Sequence, residues 1–159
     1  MKLGLLTAAF GELSLDEVAA WAAANGFDML EVACWPAAGA EKRRYAGVSH
    51  IDVDALDVDA VHATLERHGV GISSLAYYPN NLHPDDTVRE EVNGHLRKVI
   101  DAAQALGVGI VGTFIGNDKD RPLPENLDRY RKIWPTHVSY AGERDVNIAN
   151  ENCPMINSY

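Results

Sequence analysis

Residues 71–107, GISSLAYYPNNLHPDDTVREEVNGHLRKVIDAAQALG, contain one complete strand–loop–helix unit. The apolar run at 71–78 predicts a buried strand, and a polar loop rich in turn formers follows it. A helix of about 20 residues then reaches Leu106 and Gly107, where glycine is a typical helix stop. The next apolar run, at 108–115, predicts another strand, so the chain begins the same unit again.

The unit recurs on both sides of this stretch. Further short apolar runs predict strands at 3–10, 29–35 and 146–150. Helical spacing predicts helices at 14–25, 58–68 and 124–144. Ser14 and Glu17 form a capping-box pattern at the start of the first helix, whose Trp21 we expect in the core. Pro135 should kink or split the last helix, because proline has no N–H to donate.

Alternation of strands and helices predicts an α/β fold with a parallel sheet and right-handed crossovers. No shift in composition divides the chain, so we expect a single domain over residues 1–159. The first strand–helix turn, residues 10–14, lacks the glycine patterns of dinucleotide and phosphate loops. The alternation fits either an open doubly wound sheet or part of a barrel, and the missing patterns favour a partial (β/α)8 TIM barrel with four βα units and a fifth parallel strand.

Composition and charge exclude several classes of function. The 159-residue chain has 14 basic and 23 acidic side chains, a net charge of −9, and 47% hydrophobic residues. The acidic balance argues against nucleic acid as a partner. No apolar run approaches the roughly 18 residues of a membrane span, and the N-terminus lacks a signal-peptide core, so we expect a cytoplasmic protein. Cys34 and Cys153 show no disulfide or zinc spacing.

The predicted strand ends carry polar and aromatic side chains. In parallel α/β folds the ligand site lies at the carboxyl ends of the strands, so residues there are the first candidates. These candidates are Glu31, Trp35, Tyr77, Tyr78, Asn80, Asn81, His83, Thr113, Asn117, Glu151 and Asn152.

Glu151 is the sharpest single signal among them. A carboxylate at the end of an otherwise apolar strand is costly unless it faces a metal ion or another cation. It could bind a divalent metal, and it could also take a proton from a sugar carbon next to a carbonyl. The alternative is a solvent-exposed glutamate in the turn before Pro154.

The other candidates have competing structural interpretations. Glu31 could line a substrate site or form a salt bridge inside a barrel, and His83 could bind a sugar hydroxyl or lie on the surface. Trp35 and Tyr77 are suited to stacking on a sugar ring, while Asn81 belongs to the same loop as His83. The basic cluster 42–44 could bind an anion or be solvated. The histidines that fall in helices are expected on the surface: His62, His68, His95 and His137.

Four stretches, at 30–36, 43–48, 76–84 and 151–155, together resemble the sugar phosphate isomerase/epimerase group. That group belongs to the xylose-isomerase-like TIM barrels, which also include a DNA-repair endonuclease branch. The resemblance implies that Glu151 is both a divalent-metal ligand and a catalytic acid/base, with Mn²⁺, Mg²⁺, Co²⁺ or Zn²⁺ as the ion. The substrate would be a sugar or sugar phosphate, converted by proton transfer through an enediolate.

The resemblance also implies that part of a barrel is missing. Such barrels need roughly 250 residues, and their remaining metal ligands come from strands six to eight. The chain would therefore be inactive by itself, either as a fragment or as a partner in a homo-oligomer that pairs through open barrel edges. A non-catalytic assembly or sugar-binding module is the alternative. The endonuclease branch is less favoured, because the chain is acidic and only His83 lies near a strand end.

Overall fold

The computed structural model describes residues 1–36 and 47–151. The basic cluster 42–44, Asn152 and Cys153 lie outside the described residues, as do parts of two of the four stretches that carry the family resemblance.

Strands and helices alternate along the described chain. The elements are β1 (Gly4–Leu6), a 3-10 helix (Thr7–Phe10), α1 (Leu15–Ala24), β2 (Met29–Ala33), α2 (Val58–His68), β3 (Gly71–Ala76), α3 (Asp86–Ala105), β4 (Ile110–Phe114), α4 (Leu123–Gly142) and β5 (Asn147–Glu151). All neighbouring strands pair in parallel, in the order β1-β2-β3-β4-β5. The predicted partial barrel of four βα units and a fifth strand is confirmed.

The two faces of the sheet have different environments. Leu30, Leu75 and Val111 are fully buried in a core that also includes Leu96 of α3. Successive side chains of a strand point to opposite faces. Ile110, the neighbour of Val111, is 41% exposed. We call this second, open side of the sheet, which carries Ile110, the inner face.

A β-bulge in β3 changes which residues reach the inner face. Leu30 pairs with Ile72, but Glu31 pairs with Ser74, so Ser73 is the extra residue. The Ser73 hydroxyl donates a hydrogen bond to the carbonyl of Leu30, at 3.1 Å. One inserted residue reverses the alternation of every side chain that follows it in the strand. Ile72 and Leu75 consequently both pack with the core, although they are three positions apart.

The first strand is shorter than the sequence predicts. Only Gly4–Leu6 forms β1, and Thr7–Phe10 is a 3-10 helix instead of a continuation of the strand. The buried Thr7 side chain gives the reason, because its hydroxyl oxygen accepts a hydrogen bond from the backbone N–H of Ala33, at 2.9 Å. A side chain therefore replaces the backbone carbonyl that a longer β1 would have offered to β2.

Helix α1 begins as expected, but its tryptophan is not in the core. Ser14 and Glu17 form the predicted capping box. Trp21 is 40% exposed, which corrects the expectation of a core residue. Its ring packs beside Phe10 and Phe27, with centroid distances of 4.8 and 5.8 Å, so it covers the edge of the core from outside.

The surface expectation is wrong for two helical histidines. His95 is buried, with its Nε2 2.8 Å from the carbonyl oxygen of Cys34, so it links α3 to the end of β2. His137 is buried in α4 beside Trp134. His62 is exposed as expected, and His68 pairs with Asp16 at 2.9 Å.

Helix α4 continues through Pro135, so the proline does not split it. Buried side chains lie on both sides of the proline, Trp134 and His137 next to it and Ala141 one turn further, and this packing holds the two halves of the helix together. No helix within residues 1–36 and 47–151 has the length and apolarity to span a membrane.

The buried His137 predicts a loss of stability in acid. Burial lowers the pKa of His137 to about 4, and the charge of Arg97 acts in the same direction. The unfolded chain takes up this proton near its ordinary pKa of about 6.5, so the unfolding free energy should fall as the pH drops from there towards 4. Urea denaturation at pH 7 and pH 4.5 measures this loss. We expect a smaller loss in His137→Leu.

The matched control is His62→Leu, because His62 is an exposed histidine of another helix. It should lose as much stability in acid as the unmodified chain. An equal loss in His137→Leu would show that His137 does not cause the pH dependence.

Candidate functional site

The sheet brings two carboxylates from distant parts of the chain to the same tyrosine. Glu31 lies in β2 and is half-buried, and Glu151 ends β5 and is exposed. The Tyr78 hydroxyl donates a short hydrogen bond to Glu31 Oε1, and Glu151 Oε1 lies 3.1 Å from the same hydroxyl oxygen. We call Glu31 and Glu151 the carboxylate pair. The site therefore joins the middle of β2, the residues that follow β3 and the end of β5.

The environment of the pair raises the pKa of Glu31 above its ordinary value. Burial is the largest cause of its raised pKa, and the nearby charge of Glu151 adds to it, while the hydrogen bond from Tyr78 acts in the opposite direction. Burial and the two carboxylates also raise the pKa of Tyr78, so its hydroxyl keeps its hydrogen at neutral pH. The site therefore combines an exposed carboxylate, a neutral phenol and a carboxyl group that can carry a proton.

Aromatic rings surround the Tyr78 side chain. The ring of Phe114 at the end of β4 lies 4.7 Å from it, and the ring of Trp35 after β2 lies 6.2 Å from it, both measured between centroids. Gly112 of β4 leaves the space that the tyrosine occupies. A Cβ atom at this position would lie 3.1 Å from Tyr78 Cζ and 3.2 Å from Glu31 Oε1. Such approaches are too close to be accommodated without a shift of the ring.

Tyr78, and not Tyr77, is the tyrosine beside the carboxylate pair. Tyr77 is 3% exposed and packs edge-on against His95 of α3, at 4.6 Å between ring centroids. The bulge at Ser73 explains why Tyr78 takes this position. It places Ser74, and therefore Tyr78 four residues later, on the same face as Glu31. The stacking role of Tyr77 stays a prediction that these core contacts do not favour. Without the bulge, the alternation of side chains along β3 would place Tyr78 on the core side of the sheet, so the sequence pattern could not identify it.

Asn81 ties the loop after β3 to the neighbouring strand. Its side-chain amide donates hydrogen bonds to Thr113 Oγ1, at 3.0 Å, and to the carbonyl of Phe114, at 2.6 Å. Asn80 makes a second link, because its amide donates to the carbonyl of Asn117 and its oxygen accepts from the N–H of the same residue. Asn81 is fully buried, and its role in substrate binding stays a prediction.

His83 makes its described contacts with the start of α3 and not with the carboxylate pair. Its Nδ1 accepts a hydrogen bond from the N–H of Asp85, at 3.2 Å, and its carbonyl accepts one from Arg89. A substrate-binding role for His83 also stays a prediction. Of the residues predicted to line the site, the structure brings Glu31, Trp35 and Glu151 together around Tyr78.

One cavity of the described residues borders Glu31. A groove of about 420 Å³ on the inner face is lined by Glu31, Leu6 and Met29. A cavity of about 540 Å³ lies instead between the loop after β4 and α4. Its Arg129 and Asp118 pair with each other at 3.8 Å, and it contains none of the predicted site residues. The carboxylate pair therefore borders the groove on the inner face and not the cavity beside α4.

A divalent metal would find part of its ligand set here. Carboxylate oxygens suit Mg²⁺ and Mn²⁺, and Glu151 presents such an oxygen at the exposed end of β5. Residues 1–36 and 47–151 contain no group of three or more histidine, cysteine, aspartate or glutamate side chains that could hold a metal. Glu151 fits as one ligand, and a complete site would need further ligands from outside the described residues.

Comparison with known proteins gives a family and a set of folds. The family model described as xylose isomerase-like TIM barrel matches residues 19–159. A search of curated protein sequences finds no match.

Solved structures with the same fold include a D-tagatose 3-epimerase-like protein, with 20% identity and a TM-score of 0.72 over 97% of this chain and 54% of that one. A putative xylose isomerase from Rhodospirillum rubrum has 18% identity and a TM-score of 0.70 over 97% and 55%. The IolI protein with a bound zinc atom has 16% identity and a TM-score of 0.67 over 99% and 54%. These identities show a shared fold, and the chain spans about half the length of these proteins.

The hydrogen bonds of Asn81 predict a measurable contribution to stability. Asn81→Ala leaves Thr113 Oγ1 and the carbonyl of Phe114 without their donor, so we expect the unfolding free energy to fall by about 1–3 kcal/mol. Urea denaturation at pH 7 measures the change. Asn147→Ala is the control, because Asn147 is exposed on the edge strand and should change stability little. Equal effects of the two substitutions would contradict the linking role of Asn81.

Proposed function

The chain belongs to the family of xylose isomerase-like TIM barrels, and from this premise we propose that it contributes the N-terminal half of a metal-dependent sugar isomerase or epimerase. The observation that carries the proposal is the position of Glu151. Its carboxylate ends β5, is exposed, and lies within hydrogen-bond distance of Tyr78. The D-tagatose 3-epimerase-like protein and the putative xylose isomerase with the same fold support a sugar or sugar phosphate as the substrate class.

In the proposed reaction Glu151 is the acid/base. One oxygen of its carboxylate takes the proton from the sugar carbon next to the carbonyl, and the electron pair that remains forms an enediolate. Return of a proton to the opposite face of that carbon gives the epimer, and return to the neighbouring carbon gives the isomer. A bound Mn²⁺, Mg²⁺, Co²⁺ or Zn²⁺ ion would polarise the carbonyl and stabilise the negative charge. Within residues 1–36 and 47–151, Glu151 fits as one ligand.

The remaining side chains of the site would bind and shield the sugar. Trp35 lies next to Tyr78, and its stacking on a sugar ring stays a prediction, because the side chain is 9% exposed and packs with the core. Glu31 would line the same site from β2, close enough to act on a hydroxyl group that lies over Tyr78. The proton donor for the opposite face and the other metal ligands would come from the part of a barrel beyond the described residues.

Replacement of the glutamate should separate catalysis from folding. We propose an assay of ketose interconversion with Mn²⁺, run on this chain and on a full-length relative with a glutamate at the corresponding position. Turnover is expected from the relative alone. Its Glu→Gln variant should lose activity by about 100-fold or more, because a positioned acid/base contributes that much. Activity retained in that variant would refute the assignment of Glu151.

The same role predicts weak metal binding by this chain. Glu151→Gln should lower the affinity for Mn²⁺, measured by water-proton relaxation, because the amide cannot supply an anionic ligand. Glu143→Gln is the matched control, since Glu143 is an exposed glutamate beside Arg144 on the far end of α4. An equal change in both variants would argue that Mn²⁺ binds elsewhere.

The open edges of the sheet support a second proposal, that copies of the chain associate. Within residues 1–36 and 47–151, β1 and β5 each pair on one side, and Ile110 and Leu6 are exposed. Unpaired strand edges and exposed apolar side chains favour association. We expect sedimentation velocity to show a dimer or a larger species.

Ile110→Lys should shift this species towards the monomer, because a charge on the inner face opposes burial. Val138→Lys is the control, since Val138 is an exposed apolar residue of α4. A monomer at all concentrations would contradict this second proposal.

A further inference from the structure

We propose that Tyr78 is a positioning residue that holds the Glu151 carboxylate in one orientation, and that Glu31 anchors the Tyr78 hydroxyl. The inference rests on the proposed role of Glu151 and extends it to the side chains that keep the acid/base aimed at the substrate. A proton-transfer group has to be held within a few tenths of an ångström of its working position to be effective. The hydrogen bond from Tyr78 is a contact that can give the Glu151 carboxylate this order.

The first support is the geometry of the three oxygens. The Tyr78 hydroxyl oxygen contacts Glu31 Oε1 closely and lies 3.1 Å from Glu151 Oε1, so one hydroxyl hydrogen is shared between the two carboxylates. Glu31 is held in the middle of the sheet between β1 and β3. Glu151 is on β5, which has β4 as its single strand partner in the described sheet. Glu31 therefore holds the Tyr78 hydroxyl in place, and the hydroxyl in turn restricts the position of the exposed Glu151 carboxylate.

The second support is the restriction of the tyrosine ring. Phe114 and Trp35 flank the ring at 4.7 and 6.2 Å between centroids. Gly112 provides space that any larger residue would fill, because a Cβ there would approach Tyr78 Cζ to 3.1 Å. The rings of Phe114 and Trp35 and the close backbone of Gly112 restrict the positions that the Tyr78 hydroxyl can take. Such packing is what a positioning group requires.

Side-chain NMR of Glu151 tests the proposal directly. Three-bond couplings in the labelled 159-residue chain report whether Glu151 keeps one rotamer or averages among several. We expect one dominant rotamer in the unmodified chain and a clearly smaller population of that rotamer in Tyr78→Phe, which removes the hydroxyl and keeps the ring. Averaging in the unmodified chain, or an unchanged dominant rotamer in Tyr78→Phe, would overturn the proposal.

The matched control is Tyr140→Phe. Tyr140 also donates hydrogen bonds from its hydroxyl to a carboxylate, that of Asp101 at 2.8 Å, but it lies in α4. Its substitution removes an equivalent interaction and should leave the couplings of Glu151 unchanged. An equal loss of order at Glu151 in both variants would mean that the effect is general and would overturn the specific role of Tyr78.

A second variant disturbs the ring and keeps every polar group. Gly112→Ala should displace the Tyr78 ring and release Glu151 to rotamer averaging. Gly109→Ala is its control, because a Cβ at Gly109 meets nothing within 4 Å. If Tyr78→Phe does not fold, this pair decides the question. A dominant Glu151 rotamer retained in Gly112→Ala would then refute the proposal.

The two levels of the proposal fail in different ways. If Glu151 is ordered by Tyr78 but the glutamate is dispensable for turnover and Mn²⁺ binding, the positioning contact stands and the assigned function falls. If the glutamate is required but its rotamer does not depend on Tyr78, the function stands and the positioning role falls. A third readout is the unfolding free energy of Tyr78→Phe. If Tyr78 had only a structural role, the substitution would lower this free energy and leave the rotamers of Glu151 unchanged.

Discussion

Parallel pairing of five consecutive strands is the constraint on which the rest of this structure depends. Each strand runs in the same direction as its neighbour, so every helix carries the chain back and every strand ends at the same edge. Polar side chains that are far apart in the sequence are thereby collected at one edge. Glu31 and Glu151 meet at the Tyr78 hydroxyl for this reason, although strands β3 and β4 separate β2 from β5 in the sheet.

The same edge contains contacts that hold its loops in place. Asn80 and Asn81 link the loop after β3 to the end of β4 and to the loop that follows it. Asn126 then links that second loop to α4, because its side chain accepts from the N–H of Asp118 and donates to the carbonyl of the same residue. Amide side chains suit this work because each one both donates and accepts hydrogen bonds. The loops beside the aromatic rings of the site are therefore tied to each other and to α4 by hydrogen bonds.

The two carboxylates of the pair differ in their exposure on the inner face. In a closed barrel the carboxylates would be surrounded by strands on all sides. Here Glu31 is half-buried while Glu151 remains exposed, so burial raises the pKa of Glu31. The exposed Ile110 and Leu6 belong to the same open side. A partner bound on this surface would change the environment of both carboxylates at once.

Hydrophobic periodicity and helix signals were sufficient to predict most of the elements. The capping box at Ser14, the helix at Val58–His68 and the long helix ending at Ala105 all follow from local patterns, because capping and amphipathicity act within a few residues. Errors arose where a distant partner decided the outcome. The buried Thr7 ended β1 by bonding to Ala33, and the exposure of Trp21 depended on what packed over the first helix.

The sequence by itself determined the alternation of strands and helices, the parallel sheet that this alternation implies, and Glu151 as the leading candidate of the site. Only the tertiary structure decided which tyrosine joins that glutamate. The choice of Tyr78 over Tyr77 depends on the bulge at Ser73, and a bulge is defined by how two strands pair and not by the residues of one strand. Burial of His95 and His137 was decided in the same way, because a helix surface becomes interior only when another element packs on it.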